Sequence, residues 1–387
     1  MAKKLIRITT VPMALKYLLG GQMKFMRENG FEVIAISADG KEIKDIIERE
    51  ECRHIIVPMT RRITPLQDFK CLIQLIRVFK KERPDIVHTH TPKAGLLGMI
   101  AAKVIGVKVR IHTVAGLPLM VEHGLKYRVL KIVEQITYFS ATQIWPNSHS
   151  LKQFILTNKL TFENKIKVIG NGSSNGIDIS RFNRSILDDE IMRKTKVSVN
   201  YLEDAQYLLY TGRLVVDKGI IDLMLVFREM EMMYPNLRLI LVGQYEQEFD
   251  PLPSWVIEQI ESNSRIIHID WSDKVEYFMA VSNLFVFPSY REGFPNVILQ
   301  AGSMYLPIVC SNIGGNIEII KKDITGLLFE VKNKNDLKDK LEFALNNPDM
   351  MKKMAVNLAG IINSAFRREI IWELILKQYQ TLLYLKN

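Results

Sequence analysis

Short apolar runs alternate with amphipathic stretches along nearly the whole chain, and this alternation restricts the fold more than any other feature. Residues 5–9, 32–37, 54–58, 85–90 and 108–113 read as strands, each bounded by polar or turn-forming residues. Helical patterns lie between them at 15–29, 41–51, 65–81 and 94–105, the first ended by Gly30. The scheme resumes later, with strands at 207–211, 238–242, 266–269, 284–287 and 307–310 interleaved with helical stretches. Strands separated by helices of this length build βαβ units on a parallel sheet, with ligands at the carboxyl ends of the strands. The expected fold class is therefore α/β, with two such sheets in succession.

A chain of 387 residues has room for two domains, each able to bury its own core. The joint is expected near N-G-S-S-N-G-I-D (171–178), giving domains over 1–172 and 185–362. A final helix over 363–387, mainly 365–385, is placed to pack back on the first domain. No run of 18 apolar residues is present, and M-A-K-K-L-I-R-I reads as a strand rather than a leader. Cys52, Cys71 and Cys310 are scattered without metal-like spacing, which points to buried thiols in a reducing compartment. Charge is unevenly spread: residues 1–184 carry 30 Lys+Arg against 15 Asp+Glu, the remainder 22 against 27. A front half at +15 implies an anionic partner, with a membrane surface, a phosphorylated lipid and nucleic acid as the classes to weigh.

Three loops in the second half suit one phosphate-and-sugar site. T-G-R-L-V-V-D-K-G-I (211–220) follows a strand and places Arg213 and Lys218 five residues apart beside Gly212. A guanidinium fork and a compact ammonium together suit a diphosphate. L-V-G-Q-Y (241–245) ends another strand at Gly243, suited to a base or ribose. P-S-Y-R-E-G-F-P-N-V-I-L-Q (288–300) hands a strand over to a helix, with Pro295 fitting the helix's first turn. A helix N-terminus is an anion site, Gly293 permits close backbone approach, and Glu292 can accept hydrogen bonds from sugar hydroxyls.

In the first half, Gly20-Gly21 weakly resembles a phosphate-cradling turn. D-I-V-H-T-H-T-P-K-A-G (85–95) gathers His88, His90 and Lys93 at a strand end. Alternation puts both imidazoles on one side of the strand, but no third ligand accompanies them, so a metal site is rejected. His112, in I-H-T-V-A-G-L-P (111–118), is a candidate polar or basic group, with a satisfied structural histidine as the competing reading. Helix 65–81 carries an apolar face flanked by Arg61, Arg62, Lys70, Arg77 and other cations, and 117–138 is a second apolar and basic stretch. Either packs as an ordinary crossover helix or lies on anionic lipid.

Four stretches taken together, D-I-V-H-T-H-T-P-K-A-G, N-G-S-S-N-G-I-D-I-S-R-F, T-G-R-L-V-V-D-K-G and P-S-Y-R-E-G-F-P-N, resemble the retaining GT-B glycosyltransferases of family 4. The likeness spans nearly the whole chain and is nearest to bacterial members that build lipid-linked capsule, O-antigen or protein glycans. It implies two facing Rossmann-like domains, with the acceptor held mainly by the first and a nucleotide-sugar by the second. It assigns the diphosphate to Arg213 and Lys218, the sugar to Glu292, and close backbone contact to Gly293, Phe294 and Pro295, with Asn296 beside them. No metal or other cofactor is expected, since the two cations serve where other transferases use Mg²⁺. Two positions depart from the family pattern. Gln300 stands where a second glutamate is held to bind the ribose. Ala115 stands where many members have a histidine facing the reacting sugar, with His112 three residues earlier.

The combined expectation is transfer of a hexose or N-acetylhexosamine from a UDP-sugar, with retention, to a polyprenyl-diphosphate-linked acceptor. Gly21, Arg61, Arg62, His90 and Lys93 are the candidate acceptor-side residues. The enzyme is expected in the cytoplasm, peripheral on the inner face of the plasma membrane, with no nucleic-acid partner. The alternatives are a UDP-sugar 2-epimerase of the same fold and, more weakly, a basic nucleic-acid-binding protein, against which stands the lack of an aromatic-interleaved basic module.

Overall fold

The structure, a computed structural model, describes residues 2–248 and 250–385. It divides into two compact units, residues 1–176 with 368–387, and residues 177–367. The first unit begins β1 (Lys3–Ile8), α1 (Pro12–Leu18), α2 (Gln22–Glu28), β2 (Phe31–Ser37), α3 (Ile43–Glu50) and β3 (Arg53–Ile56). It continues α4 (Pro65–Glu82), β4 (Ile86–Thr89), α5 (Pro92–Val104), β5 (Val109–Val114), α6 (Gly124–Ser140), β6 (Gln143–Pro146) and α7 (His149–Thr157). The second unit runs α8 (Asp189–Ser198), β7 (Gln206–Thr211), α9 (Ile220–Met233), β8 (Leu237–Val242), α10 (Ser254–Ser262) and β9 (Ile266–Ile269). There follow α11 (Val275–Val281), β10 (Leu284–Phe287), α12 (Asn296–Ser303), β11 (Ile308–Ser311), α13 (Gly314–Ile317), β12 (Leu327–Phe329), α14 (Lys334–Asn346) and α15 (Pro348–Ala365). The last helix, α16 (Arg368–Tyr384), belongs to the first unit.

Each unit holds a six-stranded parallel sheet, ordered β3-β2-β1-β4-β5-β6 in the first and β12-β11-β10-β7-β8-β9 in the second. Both are the doubly wound order in which the chain reverses direction between two central strands, β1 and β4 or β7 and β10. The crevice outside the carboxyl ends of those strands is where such sheets bind ligands.

Alternation along β1 and β2 decides which residues face which layer. Ile6, Ile8, Ile34 and Ile36 pack with Leu75, Phe79 and Leu97 of α4 and α5. Leu5, Val33 and Ala35 pack on the opposite side with Met23, Ile46, Ile371 and Tyr379. Burial of each of the larger side chains among these contributes about 1.5–3 kcal/mol before entropy is counted. In the second unit one cluster runs through both faces, including Leu208, Leu241, Phe285, Ile298, Leu341 and Leu358.

Several boundaries depart from the sequence expectation. The helix expected over 15–29 is two helices, because Gly21 takes a left-handed backbone (φ 82°) that starts α2 afresh. The compact units meet at 176/177 rather than at 172, and α15 extends to Ala365, so residues 363–367 belong to the second unit. Strands β6 and β12, absent from the sequence reading, complete the two sheets as edge strands.

Candidate active site

In the second unit the β7–α9 and β10–α12 loops meet at the reversal between β7 and β10. The meeting depends on Gly219, which has φ 71° and lies so close to the β10 end that a Cβ would stand 2.1 Å from the Pro288 oxygen. The loops are stitched further by Tyr290 N–H donating to the Asp217 oxygen (2.9 Å) and by an ion pair between Arg291 and Asp217. Lys218 is thereby carried to Glu292, and the two form an ion pair with both side chains largely buried. The Lys218 ammonium also lies 5.7 Å from the centre of the Phe287 ring.

Arg213 opens the same loop, its backbone oxygen accepting from the Tyr210 hydroxyl at 2.9 Å, and its guanidinium pairs with Glu246 on the β8–α10 loop. Gly212 and Gly243 lie back to back here. Their N–H groups are spent on the ladder, Gly212 donating to the Val242 oxygen and Gly243 to the Ile269 oxygen, both at 2.9 Å. A Cβ at Gly243 would stand 1.8 Å from the Gly212 oxygen and one at Gly212 would stand 2.8 Å from the Tyr210 hydroxyl, so both glycines serve the close packing of the two strand ends.

Pro295 is the N-cap of α12 rather than within its first turn, because helical geometry begins at Asn296. Gly293 and Phe294 donate their N–H groups to no other described residue. Phe294 buries its ring on Phe366 (centroids 5.5 Å), so what it presents outward is backbone. Gln300 lies on α12, half-buried. The sequence reading missed the third wall of this site, the α13 turn. Gly315 lies against Glu292, and the buried Asn316 amide donates to the Ser311 oxygen at 2.8 Å. A signal existed in S-N-I-G-G-N (311–316), two glycines directly after a strand.

In the first unit the expected acceptor-side residues fall into two groups. His90 stands at the carboxyl end of β4, beside the reversal between β1 and β4. Its ring lies 4.1 Å from that of His88, and neither ring nitrogen finds a partner among the described residues. Burial, reinforced by the charge on Arg7 and by His112, holds His90 neutral, its pKa well below the usual imidazole range. Arg61 and Arg62 are exposed on the loop before α4.

The other two, Gly21 and Lys93, need correction, as does His112, the candidate polar or basic group. The Gly21 N–H is taken by the Glu50 carboxylate (2.7 Å) and its α-carbon is covered by Trp372, so it makes no phosphate cradle. The Lys93 ammonium is spent within the fold, pairing with Asp68 at 2.7 Å and donating to Thr60 and to the Arg62 oxygen. It shapes the 60–64 loop instead of waiting for an anion. His112 is buried beneath α5, where Gly95 packs directly on its ring, and its Nδ1 is bonded to Thr89 Oγ1 at 2.8 Å. Burial lowers its pKa to about 4. It is a structural histidine, pointing to the sheet face opposite His88 and His90.

Sequence reasoning also missed the network under His88. Arg7, fully buried, donates to the Tyr379 hydroxyl and to Gln22, and lies 3.3 Å from His88 Nδ1. Gln22 passes the network to Asn175 (2.8 Å), whose side-chain oxygen also accepts from the Trp372 indole (2.6 Å). Among the described residues no three His, Cys, Asp or Glu side chains come together as a metal site would require.

Residues 192–358 match the family model for glycosyl transferases group 1, and residues 10–148 match that for glycosyl transferase 4-like domains. The chain belongs to this family of glycosyltransferases and has the GT-B fold. A capsular polysaccharide biosynthesis glycosyltransferase of Staphylococcus aureus is 36% identical over 383 residues, covering 98% of each chain. An Escherichia coli UDP-Gal:α-D-GlcNAc-diphosphoundecaprenol α-1,3-galactosyltransferase is 28% identical, over 81% of this chain and 79% of its own. Among solved structures, the Anabaena protein HepE in complex with UDP and glucose superposes with a TM-score of 0.81 at 17% identity. That match covers 98% of this chain and all of the other.

Proposed function

We propose that this glycosyltransferase moves a hexose or N-acetylhexosamine from a UDP-sugar, with retention, to a saccharide on a polyprenyl diphosphate in capsule or related glycan assembly. The observation that carries this reading is the convergence of Arg213, Lys218, Glu292 and the α12 N-terminus at one sheet reversal. Cations and open N–H groups placed there before the reaction stabilise the charge that grows on a departing phosphate. They do so without a metal, while Glu292 accepts from sugar hydroxyls. The acceptor class follows the E. coli relative, and a Campylobacter jejuni relative, 24% identical, is likewise named for a diphospho-undecaprenol acceptor.

A lipid-borne acceptor calls for a surface that reaches it. Leu125, Val129, Ile132, Ile136 and Phe139 form an exposed stripe along α6, beside Lys126, Arg128 and Lys131. Ile63, Leu66 and Phe69 are exposed at the start of α4. Apolar stripes with basic margins lie in the interface of anionic bilayers, and no helix of the described residues is long and apolar enough to cross one. The proposed location is therefore the cytoplasmic leaflet, occupied peripherally.

The test is incubation with a panel of labelled UDP-sugars and undecaprenyl-diphosphate saccharides, with and without chelator. The expected result is chelator-insensitive label in the lipid product, with the anomeric configuration kept. Epimerised free UDP-sugar with no labelled lipid would replace the transferase reading by that of a 2-epimerase.

A further inference from the structure

Glu246 occupies Arg213 in the very place where the donor reading puts a diphosphate, and the inference here rests on that reading. The pair is not a chance meeting of two surface side chains. The β8–α10 loop is stitched to the β7–α9 loop by Leu214 N–H donating to the Gln244 oxygen (2.9 Å), with a bridge between Leu214 and Tyr245. The Tyr245 ring packs on His268 (4.8 Å), and His268 Nε2 lies 2.9 Å from the Gly243 oxygen. Further along, the Asp250 carboxylate accepts from Asp217 N–H at 2.8 Å. Glu246, its side chain only 16% exposed, is thus held on a backbone that cannot withdraw far from Arg213.

A carboxylate so placed makes any phosphate binding at Arg213 displace it and then endure its repulsion. The cost differs between the two ligands of the reaction. A nucleotide-sugar has a doubly substituted diphosphate with two charges, whereas the nucleoside diphosphate left after transfer gains a third on its terminal phosphate, whose pKa is about 6. We infer that Glu246 is a specificity-determining residue that competes for Arg213 and disfavours the product nucleoside diphosphate more than the donor, so that product leaves the site. Lys218 is also paired with a carboxylate, but its partner Glu292 is assigned to the sugar, whereas Glu246 has no assigned ligand of its own.

The experiment is calorimetric titration of the full-length wild type, Glu246→Gln and Glu246→Ala with UDP, and with uridine as the uncharged control. Both variants are expected to bind UDP about fivefold more tightly than wild type, the scale of one partly exposed ion pair, with uridine affinity unchanged. Product inhibition by UDP should deepen in parallel. UDP affinity equal to wild type, or weakened because Glu246 merely orients Arg213, overturns the inference and leaves the donor reading standing. Tightening shared equally by uridine overturns it too, since charge would not be the cause. Failure of all three proteins to bind UDP removes both.

Discussion

Gly315 packs against Glu292 so closely that a Cβ there would lie 2.7 Å from the Glu292 Cβ and 2.7 Å from its carbonyl oxygen. The α13 turn therefore sets the position of the Glu292 backbone and Cβ from behind, while Lys218 holds the carboxylate. Because the obstacle is backbone as well as side chain, Gly315→Ala can be accommodated only by moving one loop off the other, at a cost of about 1–3 kcal/mol. We expect sugar transfer to fall by about tenfold to 10²-fold, the upper figure being that of an ångström-scale misplacement, with a modest drop in melting temperature. Steady-state kinetics beside a thermal melt checks this, and full activity would take Gly315 out of the site.

Lys218→Ala removes the ammonium that faces both the proposed leaving phosphate and Glu292. Preorganised charges of this kind are worth about 10²–10³ in turnover. The expected variant is folded, binds UDP weakly and transfers almost nothing, whereas Lys218→Arg keeps the charge and recovers part of the binding. Turnover within a few-fold of wild type in Lys218→Ala would remove the diphosphate role from this residue.

Gln300 lies one turn into α12, beyond the N-terminus that Pro295 caps. A neutral amide facing a ribose hydroxyl makes a weaker hydrogen bond than a carboxylate would, by roughly 1 kcal/mol. Gln300→Glu is therefore expected to tighten uridine and UDP alike, by about fivefold. Calorimetry with both ligands measures it. Unchanged affinity would place Gln300 away from the ribose.

The doubly wound scheme was legible because buried parallel strands leave continuous apolar runs, as at Leu208–Leu209 and Phe285–Val286. The two strands that escaped, β6 with its Pro146 and the three-residue β12, are both edge strands, where short length and proline are tolerated. The placement of Arg213, Lys218 and Glu292 on loops after strands was legible for a similar reason, since glycine and charge directly after an apolar run mark where a strand stops. Which cations and N–H groups are already committed was not. Lys93 with Asp68, Gly21 with Glu50, and Arg213 with Glu246 are separated by 25, 29 and 33 residues and meet only through the fold. His112 shows the same limit, since the residue that encloses it, Gly95, is a glycine on another element and leaves no mark in the local pattern.

Glu134 gives the fold a pH dependence that can be isolated. It is buried on α6, and burial pushes its carboxyl up to about 7, against a smaller opposing pull from Tyr138. A carboxyl whose pKa is higher folded than unfolded binds its proton more tightly in the native state. Its stabilising contribution is complete below the unfolded value of 4.5 and is lost as pH rises through about 7. His112 acts in the opposite sense, its folded pKa of about 4 lying below 6.5, so its contribution is lost as pH falls through that window. The Glu134 term therefore emerges only as a difference between proteins. Relative to Glu134→Gln, the wild type should lose about 2–3 kcal/mol of unfolding free energy between pH 5 and pH 8. Urea titrations at the two pH values, followed by tryptophan fluorescence, measure the difference, and parallel pH profiles for the two proteins would contradict it.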